Sequence, residues 1–265
     1  MDDQQLRVQL LGTGTSTGVP VIGCDCEVCT SPDPRDSRLR CSCYIQIGNV
    51  SILIDAGPDF RAQAIRAHID SVDAVLITHH HFDHVVGLDD LRPFLFKNKV
   101  AIPCYTSTET ATVLERMFSY IFVDGDYPGV ANLDLVRVDA PFHIQGRRDT
   151  TDKVQVTPIP VFHGDLQIYG YRIGNFAYLT DTSAIPESSM DLLVGVEVLV
   201  LDGLRYESHT KHLTIPEAVE LARQIGARQT YLVHLAHSIH HKRVDAELPN
   251  GVNLGYDGLK FSVRL

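Results

Sequence analysis

The densest group of metal-ligating side chains in this sequence is the run from His79 to His84, which reads His-x-His-x-Asp-His. It follows an apolar stretch, residues 72–77, that predicts a β-strand. Two imidazoles two residues apart in a loop after a strand can chelate one cation, and the Asp-His pair behind them can reach a second one. The spacing and the strand context therefore predict a metal centre rather than a histidine-rich surface loop.

A second group of ligands, Cys24, Cys26 and Cys29, places three of the six cysteines within six residues. The six are too few and too unevenly spaced for a secreted disulfide scaffold. Thiolates select zinc, and a closed structural zinc site needs a fourth ligand. We interpret this loop as a metal site and the other three cysteines, Cys41, Cys43 and Cys104, as ordinary buried residues.

Strands and helices must position these groups, and their order along the chain repeats: strands, then helices, twice over. Predicted strands cover residues 6–11, 44–47, 50–55, 72–77, 133–138, 154–162, 168–173, 176–180, 196–201, 229–233 and 259–264. Predicted helices cover 59–69 and 107–122, and a third begins at the capping box of Thr214 and Glu217 and ends at Gly226. Polar residues that can bind metals or protons follow several strands, namely Asp55, His79, His163, Asp181, Asp202 and His234. We expect them to converge on one site at one end of an α/β scaffold.

Composition and charge exclude several classes of function. Thirty-three acidic against 23 basic residues give a net charge of −10, which argues against a nonspecific nucleic-acid binder. No stretch approaches the ~18 apolar residues that a membrane helix needs. The N-terminus lacks the basic and apolar segments of a signal peptide, so a cytoplasmic enzyme is the expectation. A chain of 265 residues can bury a sizeable core as one large domain or two fused halves.

The motif at His79–His84 is the signature of the metallo-β-lactamase superfamily, and the chain resembles that family over nearly its whole length. The resemblance implies an α/β fold, a four-layer αββα sandwich, formed by residues 1–265 as a single domain. It also implies a dinuclear centre in which one metal is held by His79, His81 and His163, the other by Asp83, His84 and His234, with Asp181 bridging the two. Asp55 resembles the aspartate of the family's Ile-Asp-x-Gly motif, whose expected role is to orient the histidine loop.

Two features resemble the PhnP-like phosphodiesterases in particular. In that branch a Cys-x-Cys-x-x-Cys loop is completed by a histidine three residues after the last catalytic ligand. This implies a structural zinc held by Cys24, Cys26, Cys29 and His237. The branch also has a histidine before the capped helix, here His212, which implies a general acid that protonates the leaving alkoxide.

The resemblance thus implies a metal-dependent phosphodiesterase that hydrolyses a small phosphodiester, with a cyclic phosphate as the expected class. Two divalent ions, the carboxylates of Asp83 and Asp181 and one hydroxide together carry one positive charge, which suits a singly charged diester. Such ions also lower the pKa of bound water toward ~7. Nitrogen and oxygen ligands do not decide between manganese and zinc. The alternatives are a tRNase Z-like nuclease, a thioesterase or lactonase of the same fold, and a non-catalytic zinc-binding or sensing protein.

Other assignments stay open at this point. A tRNase Z normally carries a long, basic, glycine-rich arm, and no such insertion is found here. A homodimer is an expectation from the resemblance alone. Arg35, Arg38 and Arg40 could contact a substrate phosphate or serve the structure. The loop-rich stretch 124–152 could shape the mouth of the substrate site.

Overall fold

Two seven-stranded β-sheets form the centre of the protein in a computed structural model that describes residues 5–97, 99–122, 129–147 and 149–265. The strands are β1 (Gln5–Gly12), β2 (Ser42–Ile47), β3 (Val50–Ile54), β4 (Ala74–Leu76), β5 (Ile102–Thr106), β6 (Leu133–Arg137), β7 (Phe142–Gln145), β8 (Lys153–His163), β9 (Leu166–Ile173), β10 (Phe176–Leu179), β11 (Val198–Asp202), β12 (Gln229–Val233), β13 (Val252–Leu254) and β14 (Lys260–Arg264). The helices are α1 (Phe60–Ala67), α2 (Phe82–Val85), α3 (Pro93–Lys97), α4 (Thr108–Met117), α5 (Ser119–Phe122), α6 (Glu187–Met190), α7 (Ile215–Ile225) and α8 (His241–Asp245).

Both sheets have the same internal pattern. The first is ordered β14-β1-β2-β3-β4-β5-β6 and the second β7-β8-β9-β10-β11-β12-β13. In each, the first three neighbouring pairs are antiparallel and the last three are parallel. The repeated order of strands and helices in the sequence therefore corresponds to two sheets built alike.

The expected four-layer αββα sandwich is confirmed. One apolar core lies between the sheets and takes residues from both, including Ile52 and Tyr171. Two outer cores hold helices against the sheets, with Leu53 in the first and Leu199 in the second. Ile52 and Leu53 lie in different cores because successive strand residues face opposite sides. A sheet covered on both faces reads as a continuous apolar run, as strand β3 does.

Most predicted elements are present, with differences that have local causes. Helix α7 begins with the predicted capping box and ends at Gly226, whose φ is 76°. The predicted helix 107–122 is interrupted at Phe118, where the backbone leaves helical geometry. Ile65 is 59% exposed, because it lies about 140° around helix α1 from the buried Phe60. Gln63 faces inward instead and its amide donates to the Arg40 carbonyl at 2.8 Å.

Strands β5, β7 and β13 were not predicted, and β7 lies in the stretch 124–152. Residues 124–128 and 148 of that stretch fall outside the described residues. In the part of the chain that the structure describes, no helix combines the length and apolarity that crossing a membrane requires.

Candidate metal centre

Strand ends from both sheets bring the predicted site residues together at one edge of the sandwich. Asp55 and His79 follow the first-sheet strands β3 and β4, whereas His163 ends β8 of the second sheet. Asp181 and His234 follow the parallel second-sheet strands β10 and β12. Parallel strands present their carboxyl ends at the same edge of a sheet, which is why residues more than 150 positions apart meet here.

The ligand atoms form two groups, each with its members within 4.8 Å of one another. The first group is His79, His81 and His163, and the second is Asp83, His84, Asp181 and His234. The groups adjoin, since the rings of His79 and His84 lie 4.3 Å apart between centroids. The resemblance implied these two sets of ligands for two metal ions, with Asp181 between them. Asp181 also lies with His163 and His212 in a further, overlapping group.

Hydrogen bonds to Nδ1 of three histidine ligands leave Nε2 as the nitrogen that is free to bind a metal. The Thr78 hydroxyl donates to Asp55 at 2.8 Å, so it accepts from His79 Nδ1 at 3.0 Å and leaves the Nε2 lone pair of His79 unused. His84 Nδ1 donates to Asp55 at 2.7 Å. His163 Nδ1 donates to the backbone carbonyls of Asp181 and Lys211 at 2.9 and 3.0 Å.

Buried nitrogens without a hydrogen-bond partner test whether this donor set fits a metal. They include the Nε2 atoms of His79, His84 and His234. A buried polar atom without a partner is costly, and imidazole nitrogens aimed at carboxylates are a common ligand set for zinc and manganese. The residues present therefore fit divalent cations.

Electrostatics supports the same fit. Burial lowers the pKa of His79 well below its ordinary value and that of His81 to about 4, so both rings are neutral at neutral pH. Burial would raise the pKa of Asp181, but the charges of His234 and His84 outweigh it and hold that pKa well below the usual range. Burial would lower the pKa of His84 as well, but the charges of Asp181, Asp55 and Asp83 outweigh it and raise that pKa well above its ordinary value. The carboxylates around this ring therefore attract positive charge, as a cation site requires.

Asp55 is the hub that orients the first-sheet ligands. It is fully buried, and the Thr78 backbone N–H donates to its Oδ1 at 2.9 Å. Its Oδ2 accepts from the Thr78 hydroxyl and from His84. Burial raises the pKa of Asp55, and the neighbouring His84 opposes that shift. The carboxylate thus holds the rings of two ligands, His84 directly and His79 through Thr78.

Backbone strain is concentrated at this site. Four non-glycine residues of the described chain have positive φ, and three of them are Asp55 (60°), Asp181 (55°) and His234 (61°). The left-handed region costs a non-glycine residue roughly 1–2 kcal/mol. Such conformations persist where the surrounding structure imposes them and cluster at functional sites.

His212 lies beside both ligand groups. Its ring stacks on His234 at 4.5 Å and meets His163 edge-on at 4.7 Å. Its Nδ1 donates to Asp202 Oδ2 at 3.0 Å, and the Leu213 backbone N–H donates to the same oxygen. Asp202 is fully buried, which raises its pKa well above the ordinary value. The sequence analysis placed Asp202 among the strand-end residues but gave it no role; that strand-end position was the available signal.

The cysteine cluster forms a separate site. His237 Nδ1 lies 3.5 Å from the sulfurs of Cys24 and Cys26 and 3.7 Å from that of Cys29. A zinc ion with Zn–S of ~2.3 Å and Zn–N of ~2.0 Å at tetrahedral angles separates sulfur from nitrogen by about 3.5 Å. The backbone N–H of Cys29 and the His237 side chain lower the pKa of Cys26 to about 6. Burial raises the pKa of Cys29 to about 11. The spacing of the four ligand atoms is therefore what fits a closed zinc site.

The remaining cysteines are buried, as predicted: Cys41, Cys43 and Cys104. The three arginines left open by the sequence all have acidic partners. The guanidinium of Arg35 lies 2.7 Å from Asp33, that of Arg38 3.0 Å from Asp36, and that of Arg40 3.1 Å from Asp59. Arg38 is completely buried, which removes it from contact with a substrate phosphate.

Comparison with known proteins identifies one matching family and three similar proteins. Residues 51–235 match the family described as the beta-lactamase superfamily domain. The chain is similar to a protein of Porphyromonas gingivalis named octanoyltransferase, with 42% identity over 261 residues. That match covers 96% of this chain and 51% of the relative, so the chain spans about half the length of that protein.

Two further relatives match over their full lengths. Ribonuclease Z of Methanopyrus kandleri is 25% identical over 296 residues, which cover 99% of each chain. Among solved structures, a protein described as a new diphosphatase from the PhnP family superposes with a TM-score of 0.89 and 41% identity. The superposition covers 98% of this chain and 99% of that one.

Proposed function

This chain belongs to the beta-lactamase superfamily, and we propose that, as a hydrolase of that family, it cleaves small phosphodiesters with the help of divalent metal ions. In this proposal His79, His81 and His163 hold one ion, Asp83, His84 and His234 hold the other, and Asp181 contacts both. Zinc or manganese would activate water and offset the charge of the phosphate oxygens. Cys24, Cys26, Cys29 and His237 would hold a structural zinc.

The position of His212 carries the proposal. Its Nδ1 is committed to Asp202, yet its ring lies against a histidine from each ligand group, His163 and His234. Its side chain is 9% exposed, so the ring can exchange protons with solvent. A histidine that adjoins two ligand groups, with one nitrogen held by a carboxylate, suits proton transfer at the other nitrogen.

The proton path follows from these contacts. When a P–O bond breaks, the departing alkoxide needs a proton. Nδ1 of His212 faces Asp202, so Nε2 is the nitrogen left to donate the proton. Burial lowers the pKa of His212, which makes its charged ring a stronger acid. The stacked His234 and the edge of His163 restrict the ring to one plane. A fixed plane is what directed proton transfer requires.

Leaving-group dependence tests the role of His212. His212→Asn should lower the turnover of a diester with an alkyl leaving group about 10²–10⁴-fold. The same variant should change the turnover of bis(p-nitrophenyl) phosphate far less, because nitrophenolate leaves without a proton. His209→Ala is the matched control, since its ring lies only 5.0 Å from that of His212. Equal losses on both substrates would contradict the general-acid role, and retained metal content would separate it from a loss of ligation.

The diphosphatase neighbour favours a second candidate substrate, a disubstituted diphosphate. Its scissile phosphorus is also a singly charged diester, but its leaving group is a phosphate, which needs less protonation. Assays of a cyclic phosphate, a diphosphate diester, a short RNA and a thioester on one preparation would rank these classes. The net charge of −10 favours the small substrates over the RNA that the ribonuclease Z relative suggests.

A further inference from the structure

We propose that Arg38 is a positioning residue for the active centre: together with the cysteine cluster, it fixes residues 234–241 and thereby the orientation of His234. The inference rests on the ligand set proposed above but not on the identity of the substrate. Four observations support it.

The ring of His234 lacks the support that the other buried ligand rings have. The Nδ1 atoms of His79, His84 and His163 are each held by a hydrogen bond. Nδ1 of His234 is buried without a hydrogen-bond partner, and Asp202 Oδ1 is 3.8 Å away. The orientation of this ring therefore depends on its backbone, which is in the left-handed conformation at φ 61°, and on the stacked ring of His212.

Arg38 holds that backbone from within the protein. Its guanidinium donates to the carbonyls of Ala236 and Ile239 at 3.1 and 2.6 Å, and to Asp36 at 3.0 Å. Asp36 in turn accepts from the His241 backbone N–H at 2.7 Å. One buried ion pair thus ties three peptide groups of the segment that follows His234.

The cysteine cluster grips the same segment. His237, its only ligand outside residues 24–29, lies three residues after His234, and the Cys26 sulfur also lies 3.7 Å from the His237 carbonyl oxygen. Between the two histidines, the Leu235 backbone N–H donates to the Thr13 carbonyl at 2.9 Å. Residues near the N-terminus therefore hold three successive positions of this segment. Thr13 holds Leu235, Arg38 holds Ala236, and the cysteines hold His237.

Stability alone is a weak reason for such an arrangement. A buried ion pair is often replaceable by apolar residues of similar volume without loss of stability. Arg38 is 0% and Asp36 1% exposed, so both charges lose their hydration completely. What an apolar pair could not supply is the set of directed donors for the carbonyls of Ala236 and Ile239.

The test measures metal affinity without substrate. Metal-free full-length protein is titrated with Co²⁺ by calorimetry, with the visible spectrum recorded in parallel, and His234→Ala identifies the binding event that depends on that ligand. The double variant Asp36→Asn/Arg38→Met removes both charges and keeps an acceptor for the His241 N–H. We expect it to weaken the His234-dependent event 10–100-fold, the range seen when residues that orient a ligand are changed. The other active-centre event should stay within about threefold.

Two further variants keep the test decisive. Cys26→Ser should weaken the same event in the same direction, because it loosens the other attachment of the segment. Leu133→Ala lies in the outer core of the first sheet, which includes no residue of 233–241, so it lowers stability there and should leave both events unchanged. Equal weakening of both events, or an unchanged His234-dependent event in the double variant, would overturn the proposal. Absence of phosphodiester turnover in the wild type, with these affinities as expected, would instead count against the proposed function alone.

Discussion

Asp55 and Asp181 occupy the same place in the two sheets. Each follows the strand that pairs antiparallel on one side and parallel on the other, β3 in the first sheet and β10 in the second. Both are buried, and both have left-handed backbones, with φ of 60° and 55°. They also flank the same ring, since His84 Nδ1 lies 2.7 Å from Asp55 and His84 Nε2 lies 3.2 Å from Asp181.

Their surroundings give them different chemistry. Both oxygens of Asp55 accept hydrogen bonds from Thr78, and burial raises its pKa. Asp181 faces His84 with one oxygen and His234 with the other, and these rings hold its pKa well below the usual range despite its burial. The repeated fold delivers a carboxylate to each sheet's edge, but the neighbouring donors decide whether it orients a ligand or acts as one.

Replacing Asp181 should have the largest effect. Asp181→Ala removes the carboxylate that faces both His84 and His234, so we expect more than ~100-fold loss of metal affinity, beyond the range for residues that only orient ligands. Turnover should fall with it and should not recover at high metal concentration. Metal content by atomic emission and turnover at several metal concentrations check this. Asp139→Ala, an exposed aspartate, is the control.

Replacing Asp55 should give the intermediate effect that distinguishes the two aspartates. Asp55→Asn places an amide group against the donors of Thr78 and His84, so both ligand rings lose their orientation. We expect metal affinity to fall 10–100-fold, with turnover largely restored at saturating metal. Competition with a chelator measures the affinity. A turnover deficit as deep as that of Asp181→Ala at saturating metal would mean that the two carboxylates are not functionally different.

A smaller effect is expected at Thr78, which links Asp55 to His79. Thr78→Val leaves the Nδ1–H of His79 buried without an acceptor, a cost of about 1–3 kcal/mol. Metal affinity should therefore drop roughly tenfold. Thr78→Ser keeps the hydroxyl and should bind metal like the wild type. If the serine variant loses as much affinity as the valine variant, the methyl packing rather than the hydrogen bond supports His79.

Asp257 serves as the comparison for Asp55 and Asp181, because it is a buried carboxylate outside the metal centre and should affect stability alone. Burial raises its pKa to about 6 from 3.8, with the Leu39 backbone N–H opposing the shift. The native state therefore binds this proton more tightly than the unfolded state, and the free energy of unfolding loses up to about 3 kcal/mol as pH rises from 4 to 7. Denaturation at several pH values should show Asp257→Asn gaining on the wild type by that amount, with turnover unchanged. A constant difference across pH would refute the assignment.

The contiguous part of the site could be predicted from sequence because local spacing encodes it. The run from His79 to His84 fixes its own geometry once a strand precedes it. The dispersed ligands His163, Asp181 and His234 could be assigned only through the resemblance to a family, since single histidines and aspartates carry no spacing signal. Their ligand atoms lie close to those of His79–His84, while the ligand roles themselves stay predictions.

Features that depend on tertiary contacts escaped prediction. Asp202 orients His212 across ten residues, and Arg38 contacts carbonyls almost 200 residues away, at Ala236 and Ile239. Strand β5 was missed because Pro103 disfavours a strand in sequence. It is tolerated here because pairing with β4 begins only at Cys104.

The pairing of β1 with β14 sets an order of events during synthesis. Residues 5–9 find their partners only at residues 260–264, the widest sequence separation of any strand pair in the described chain. His234 and His237 are also made late, more than 200 residues after the cysteines. A nascent chain therefore exposes one edge of β1 until residues 260–264 have been made, and contacts this distant along the chain slow folding. Until then β1 has an unpaired strand edge of the kind that favours aggregation.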